Sequence, residues 1–319
     1  LKESLKDLPI YEQANFPHHL AKTEDAAIAI VNKEQSVYQS IDGFRAFTDD
    51  LYRLGIVTTH HAVNDLYAMG IQPTSAQVWA NICFAHPRLS KRDFQQLMNG
   101  ITEALIHHET TLVGGHSTQG KETHLAIVVN GQQHHVWPKN NLKAGDCLLL
   151  NRPLGSGVIL AADMQLKAEA GTVDGLWAHL LTSNRAFFKA LQNHEVHSAT
   201  DVSGFGLLGH CLEMVEGSDL QINIDSRNVP LLPGALDLSQ LGVASSLLPQ
   251  LLPLKNRCMV SENAQSQIID LLFDPQTNGG LLVSVSPEVA SKLLVIDGVV
   301  KVGHVTSRLQ TGDKEIAIY

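Results

Sequence analysis

Thr200-Asp201-Val202-Ser203-Gly204-Phe205-Gly206-Leu207-Leu208-Gly209-His210 brings one carboxylate, three glycines and a short apolar turn into eleven consecutive residues. A core strand has no use for Gly204 and Gly206, and a surface loop has no use for Phe205, Leu207 and Leu208. The pattern predicts a strand ending at Asp201, a tight turn, and a helix that begins within the glycines. Glycine lets the backbone approach something closely, and the unpaired N–H groups of a helix start can face an anion. Two readings stay open on this segment alone. Asp201 is either a metal ligand beside a phosphate or the solvated acid of an ordinary strand-turn-helix corner.

Outward from this segment the chain alternates short apolar runs with helical periodicity. Residues 26–31 and 36–41 read as strands joined by the polar turn Lys33-Glu34-Gln35. Residues 49–69 carry Leu51, Leu54, Ala62, Leu66 and Met69 at helical spacing and end at Gly70, a C′ glycine. A strand over 75–83, a helix over 90–106 capped by Ser90, and a short strand over 110–113 entering a Gly114-Gly115-His116-Ser117 loop follow. Residues 125–130 form another strand. The polar stretch 131–143, with Pro138, is the best boundary.

Beyond it come a strand over 146–150, the Pro153-Leu154-Gly155-Ser156-Gly157 turn leading into a helix, and one long helix over 173–191. After the Asp201 segment the pattern predicts a helix to Val215, a strand over 221–224, a helix around Leu236 and another over 261–272. That last helix runs into Asp274-Pro275-Gln276-Thr277-Asn278-Gly279-Gly280. Strands and helices mix in both halves without strict alternation, so the fold class is α+β rather than a doubly wound sheet.

The 319 residues are enough for two domains, each with its own core. With 44% hydrophobic and 17% charged residues, the composition is globular. A formal net charge of −9 argues against nucleic acid as the main partner, since no basic field exists to neutralise phosphates. An acidic protein still binds ATP where metal ions carry the local positive charge. Cys83, Cys147, Cys211 and Cys258 are scattered, without a C-x-x-C pair, and read as buried thiols of a cytoplasmic protein. No run is long enough to span a membrane and no signal peptide is present. The chain begins at Leu1, and Lys2 to Leu8 already reads as an amphipathic helix in progress, so residues upstream are expected.

Four carboxylates stand beside small or glycine residues. Asp25 follows Glu24 before Ala26-Ala27, Asp42 precedes Gly43, Asp65 follows Asn64, and Asp201 is the fourth. Singly, such acids serve as caps or solvated turns. Asp65 differs, because it lies mid-helix among Ala62, Leu66, Ala68 and Met69, where an acid needs a partner. His61 is one turn earlier on the same face. The histidine pairs at 18–19, 60–61, 107–108 and 134–135 read as surface residues, except that His60-His61 shares the Asp65 helix. Hard cations such as Mg²⁺ take oxygen ligands and share substrate phosphates. Gly114-Gly115-His116-Ser117 is not a Walker A loop, and the chain has no G-x-G-x-x-G fingerprint.

Read together, Glu24-Asp25-Ala26-Ala27, Asn64 to Gly70, Gly114 to Ser117, Pro153 to Gly157, Thr200 to His210 and Asp274 to Gly280 resemble the motifs of selenophosphate synthetase (selenide, water dikinase), in its order and near its spacing. The wider superfamily includes aminoimidazole ribonucleotide synthetase, thiamine monophosphate kinase and a hydrogenase maturation factor. The strings Tyr67-Ala68-Met69-Gly70 and Gly204 to His210 favour the selenium branch.

The resemblance implies an ATP-binding and dimerisation domain over 1–137 and an α+β domain over 138–319, with the first pairing in a homodimer through a shared β-barrel. It implies Asp25, Asp65 and Asp201 as Mg²⁺ ligands. It also implies Thr23, Glu24, Asp42 and Asp65 as nucleotide contacts, with Gly114, Gly115, His116 and Ser117 contacting the triphosphate, reached in part from a neighbouring subunit. The implied reaction converts ATP, selenide and water to selenophosphate, AMP and phosphate. A same-fold alternative is another ATP-dependent synthetase or kinase with a different acceptor, and an alternative of a different class is a non-catalytic ATP-binding or dimerisation module attached to another enzyme. The family's cysteine or selenocysteine loop, with its catalytic lysine, is expected upstream of Leu1, and none of the four cysteines takes that role by motif. The family often has Asn where His61 stands. Some bacterial relatives carry this unit fused behind a pyridine-nucleotide-dependent oxidoreductase module.

Overall fold

Alternating burial along each strand builds the sheet of the first half of the chain. In the computed structural model, which describes residues 25–32, 35–133, 136–308 and 314–319, the chain divides into units Leu1–Val136 and Trp137–Tyr319. The first unit holds β1 (Ala27–Asn32), β2 (Gln35–Arg45), α1 (Leu51–Ala68), β3 (Pro73–Cys83), α2 (Pro87–His107), β4 (Thr111–Gly120) and β5 (His124–Gln132). Its strand order is β1-β2-β5-β3-β4, antiparallel except for the parallel β3–β4 pair. Ala76, Val78, Ala80 and Ile82 of β3 and Leu125, Ile127 and Val129 of β5 point to one face. That face packs on α1, while Ile41 and Trp79 on the other face stay exposed at 66% and 43%.

Because α2 covers its far side, α1 is buried almost all round. The two helices touch backbone to backbone. A Cβ on Gly55 would lie 2.5 Å from the Leu97 carbonyl oxygen, and one on Gly100 would lie 2.0 Å from that of Tyr52. Asp50 caps α1, accepting from the Arg53 amide at 3.1 Å. At the other end Gly70 adopts φ 77°, with Gly70 N donating to Tyr67 O at 3.0 Å and Ile71 N to Leu66 O at 2.8 Å. Ser90 does not cap α2. That helix starts three residues earlier, at Pro87 after His86, because proline suits the first helical position.

The second unit contains β6 (Cys147–Leu150), α3 (Ser156–Met164), α4 (Ala170–Leu180), α5 (Arg185–Leu191), β7 (Ser198–Asp201), α6 (Gly206–Val215), β8 (Leu220–Ile224), α7 (Ala235–Gln240), α8 (Leu248–Leu251), β9 (Cys258–Val260), α9 (Ile269–Phe273), β10 (Leu281–Val285), α10 (Pro287–Leu293), β11 (Val300–Ser307) and β12 (Ile316–Ile318). Seven strands run in the order β7-β10-β6-β11-β8-β12-β9. One core joins Leu148, Ile222, Leu282 and Val305 of the sheet to Leu208 and Cys211 of α6 and Phe273 of α9.

The single helix expected over 173–191 is broken into α4 and α5. At the break the buried Asn184 side chain donates to Gly279 O at 2.8 Å and accepts from Asn151 Nδ2 at 2.9 Å. Asn278 Nδ2 takes the carbonyls of Leu180 and Thr182, at 2.7 and 3.0 Å, so tertiary partners replace the next helical turn. The helix expected over 261–272 reduces to a turn, a 3₁₀ segment Ser266–Ile268 and α9. There Gln265 N donates instead to Ser226 Oγ at 2.8 Å.

Candidate functional site

Ser40, Asp42 and Phe44 alternate along β2 and share the face turned to α1, where His61 and Asp65 stand one turn apart. Ser40 Oγ donates to Asp65 Oδ2, which answers the need of a carboxylate held among apolar neighbours. His61 Nε2 lies 3.0 Å from Asp42 Oδ2, and its ring centroid is 4.8 Å from that of Phe44. Gly43 N donates to Asp42 Oδ1 at 2.8 Å. Burial pushes the Asp42 carboxyl up, but the charge and hydrogen bond of His61, with the Gly43 amide, outweigh it and hold the group below its ordinary range. The sequence placed His61 beside Asp65 on the helix. Its partner across the sheet is Asp42, and Ser40 and Phe44 carried no local signal.

Gly114 to Ser117 are not a loop. They lie within β4, at the edge of the sheet, beyond a bulge that makes Val113 the extra residue opposite Ala76 and Gln77. Gly115 is required by close approach, since a Cβ there would lie 2.0 Å from Val78 O. Together with Val78, Ala80, Phe94, Met98 and Leu112 these residues line a groove of about 200 Å³. Three strand spacings, about 14 Å, separate β4 from β2 and Asp42. Asp25 is half-buried just before β1. Thr23 and Glu24 lie outside the described residues, as do His18-His19 and His134-His135.

His60 and His61, set apart in the sequence by their helix, are buried, and so is His108, against the expectation of a surface pair, while His107 is exposed. His108 bridges His60 Nδ1 and Tyr67 Oη, both at 2.8 Å, so the imidazoles meet polar partners at the α1–α2 seam. Cys83 is exposed rather than buried. Burial pushes the Cys211 thiol far above its ordinary value and Cys258 up to about 11, which suits core packing and not nucleophilic attack.

In the second unit Asp201 ends β7, opposite Leu281 of β10. It is 2% exposed, and its side-chain oxygens take no hydrogen bond or ion pair from the described residues. The turn after it is clamped on both sides. Val202 N donates to Gly280 O at 2.8 Å, Gln276 N to Ser203 O at 2.9 Å, and Ser203 N to His210 Nε2 at 3.1 Å. Gly206 turns the chain into α6 with φ 66°, its Cα tight against the Phe273 backbone.

The helix start after Pro153 resembles a phosphate cradle, yet its donors are already used. Gln276 Oε1 accepts Gly155 N, Ser156 N and Ser156 Oγ at 2.9, 3.1 and 3.1 Å. Asp274, 1% exposed, accepts Ser245 N at 3.1 Å, and burial pushes its carboxyl up to about 6.

Among the described residues no group of three or more His, Cys, Asp or Glu side chains could hold a metal by itself. Magnesium needs no such cage, since it keeps waters and shares substrate phosphates with one or two carboxylates. In the second unit Asp201 fits that demand as a buried carboxylate with no hydrogen-bond or ion-pair partner among the described residues, and in the first unit Asp65 is separately an oriented oxygen ligand. No described helix is long and apolar enough to cross a membrane.

Comparison with known proteins places this arrangement. Residues 23–132 match the AIR synthase related protein N-terminal domain, and residues 143–309 match the AIR synthase related protein C-terminal domain. The fold and its two domains therefore define an enzyme of the AIR synthase-related class. The chain is 30% identical over 94% of its length, and 87% of the relative's, to selenide, water dikinase of Clostridioides difficile. It is 36% identical to that of Nitratidesulfovibrio vulgaris strain DP4, over 83% of this chain and 76% of the relative. The chain belongs to the selenide, water dikinase family.

Among solved structures, thiamine monophosphate kinase from Aquifex aeolicus superposes with TM-score 0.66 at 15% identity, covering 92% of this chain and 90% of that one. Hydrogenase maturation protein HypE in complex with ATP gives TM-score 0.69 at 13% identity, covering 99% and 85%. At these identities the likeness is one of fold.

Proposed function

We propose that this chain supplies the ATP- and Mg²⁺-binding body for the synthesis of selenophosphate from ATP, selenide and water, with release of AMP and phosphate. The observation that carries the reading is its 30% identity to a selenide, water dikinase across 94% of the chain. The acid-bearing face of α1 and β2 supports it. Asp42, kept ionised by His61 and Gly43, offers a fixed anionic oxygen to the nucleotide site, and Thr23 and Glu24 precede Asp25 as further nucleotide contacts.

Asp25, Asp65 and Asp201 would hold Mg²⁺, which when bound neutralises charge developing on phosphoryl oxygens as the two phosphoanhydride bonds break. Ser40 orients Asp65 for that task. Gly114, Gly115, His116 and Ser117, on the far edge strand, belong to the same reading through a second copy of the chain. A homodimer is supported by the exposed sheet face with Ile41 and Trp79, an apolar surface that a second sheet would cover.

The decisive assay measures nucleotide products from ATP with and without selenide on the full-length protein. AMP release that requires selenide is expected. ADP formation independent of selenide would assign the chain to a kinase-like relative instead.

A further inference from the structure

Resting on the reading of Asp201 as a metal ligand, we propose that His210 is a positioning residue for the Asp201 carboxylate, acting through the backbone of Ser203. Of the groups clamping the Asp201-Val202-Ser203 turn, Gln276 N and Gly280 O are backbone, whereas His210 Nε2 is a side-chain acceptor. Its setting is built. His210 is 4% exposed on α6, with the Phe205 ring centroid 5.5 Å from its own. One turn later on the same helix stands Glu213, whose Oε2 lies 3.4 Å from His210 Nδ1, an ion-pair distance too long for a strong hydrogen bond. The same oxygen lies 3.2 Å from Nζ of Lys139, itself 4% exposed.

Because the Ser203 amide donates to Nε2, the imidazole proton sits on Nδ1, which makes no hydrogen bond and faces the Glu213 carboxylate. Lys139 balances the buried charge of Glu213. The order Ser203, His210, Glu213 looks like a nucleophile triad, with Ser203 Oγ 3.3 Å from Nε2. The Ser203 amide, at 3.1 Å, already occupies the single lone pair, so His210 orients the chain rather than activating the hydroxyl. Two residues upstream, the carboxylate so oriented is buried without a hydrogen-bond or ion-pair partner among the described residues.

The test is binding of Mn²⁺, a paramagnetic substitute for Mg²⁺, to the full chain with the non-hydrolysable ATP analogue AMPPCP, read by electron paramagnetic resonance. His210→Phe fills the space without an acceptor and should weaken Mn²⁺ binding about tenfold, the usual loss when an orienting partner is removed. His210→Gln, which restores an acceptor near the Nε2 position, should recover most of it. Asp201→Asn should weaken Mn²⁺ binding in its own right, and Asp201→Asn/His210→Phe should be no weaker than Asp201→Asn.

Wild-type affinity in His210→Phe, with Asp201→Asn impaired, overturns the positioning role and leaves the ligand reading intact. Wild-type affinity in Asp201→Asn overturns the ligand reading and the proposal with it. Should His210→Phe fail to melt cooperatively, His210→Gln against His210→Met gives the same contrast, and equal Mn²⁺ affinity in that pair overturns the proposal.

Discussion

His61 Nε2 reaches Asp42 Oδ2 at 3.0 Å, joining the buried helix α1 to the strand beneath it by an acid–base pair. Burial alone would raise the Asp42 carboxyl; His61 and the Gly43 amide reverse the direction. His61→Leu removes the larger of those opposing influences. The Asp42 pKa is then expected to rise above its wild-type value, as followed by carbon-detected NMR titration of labelled aspartate. An unchanged or lower value would show that the pair does not set the charge of Asp42.

Gly100 and Gly175 predict opposite outcomes for the same substitution. A Cβ on Gly100 meets Tyr52 O at 2.0 Å, so Gly100→Ala must push α1 and α2 apart, at a cost of about 1–3 kcal/mol. Gly175 is exposed within α4 with nothing near its Cβ position, so Gly175→Ala should stabilise by about 1 kcal/mol through helix propensity. Urea denaturation of both variants against wild type checks the signs.

Asp274 makes a pH-dependent contribution of definite sign. Its carboxyl rises from 3.8 to about 6 in the folded chain. The folded state therefore favours the protonated acid, and that contribution is complete below about pH 4 and lost as pH rises through 6. The change amounts to about 2–3 kcal/mol. Asp274→Asn cannot titrate, so its stability relative to wild type should improve by that amount between pH 4 and 7 in denaturant titrations. A constant difference across this range would contradict the burial account.

Gln276 Oε1 accepts three donors at the start of α3. Gln276→Ala leaves buried N–H groups unsatisfied and should cost about 1–3 kcal/mol in chemical denaturation. Hydrogen exchange should quicken at the Gly155 and Ser156 amides more than at amides of β11.

Much of the site was legible because chemistry forces it into local pattern. Asp65 stood out as an acid among apolar helical neighbours, and Asp201 as an acid entering a glycine turn. Their surroundings were not legible. Ser40 lies 25 residues from Asp65, and nothing in either segment announces the pairing. Gly114-Gly115 read as punctuation because glycine pairs usually end strands. Here the bulge at Val113 and the contact of Gly115 with Val78 keep them inside one. The break at Asn184 escaped for the same reason, since its partners Asn151 and Gly279 lie 33 and 95 residues away.

By itself the sequence determined the α+β class, the type of most elements and the acids that stand out from their neighbours, because strand and helix periods and burial costs are written within a few residues. The tertiary structure alone decided that His61 serves Asp42, that Ser40 serves Asp65, and that Gln276 fills the helix start after Pro153. Hydrogen bonds and ion pairs act over about 3 Å, and only chain closure brings residues so distant in sequence within that reach.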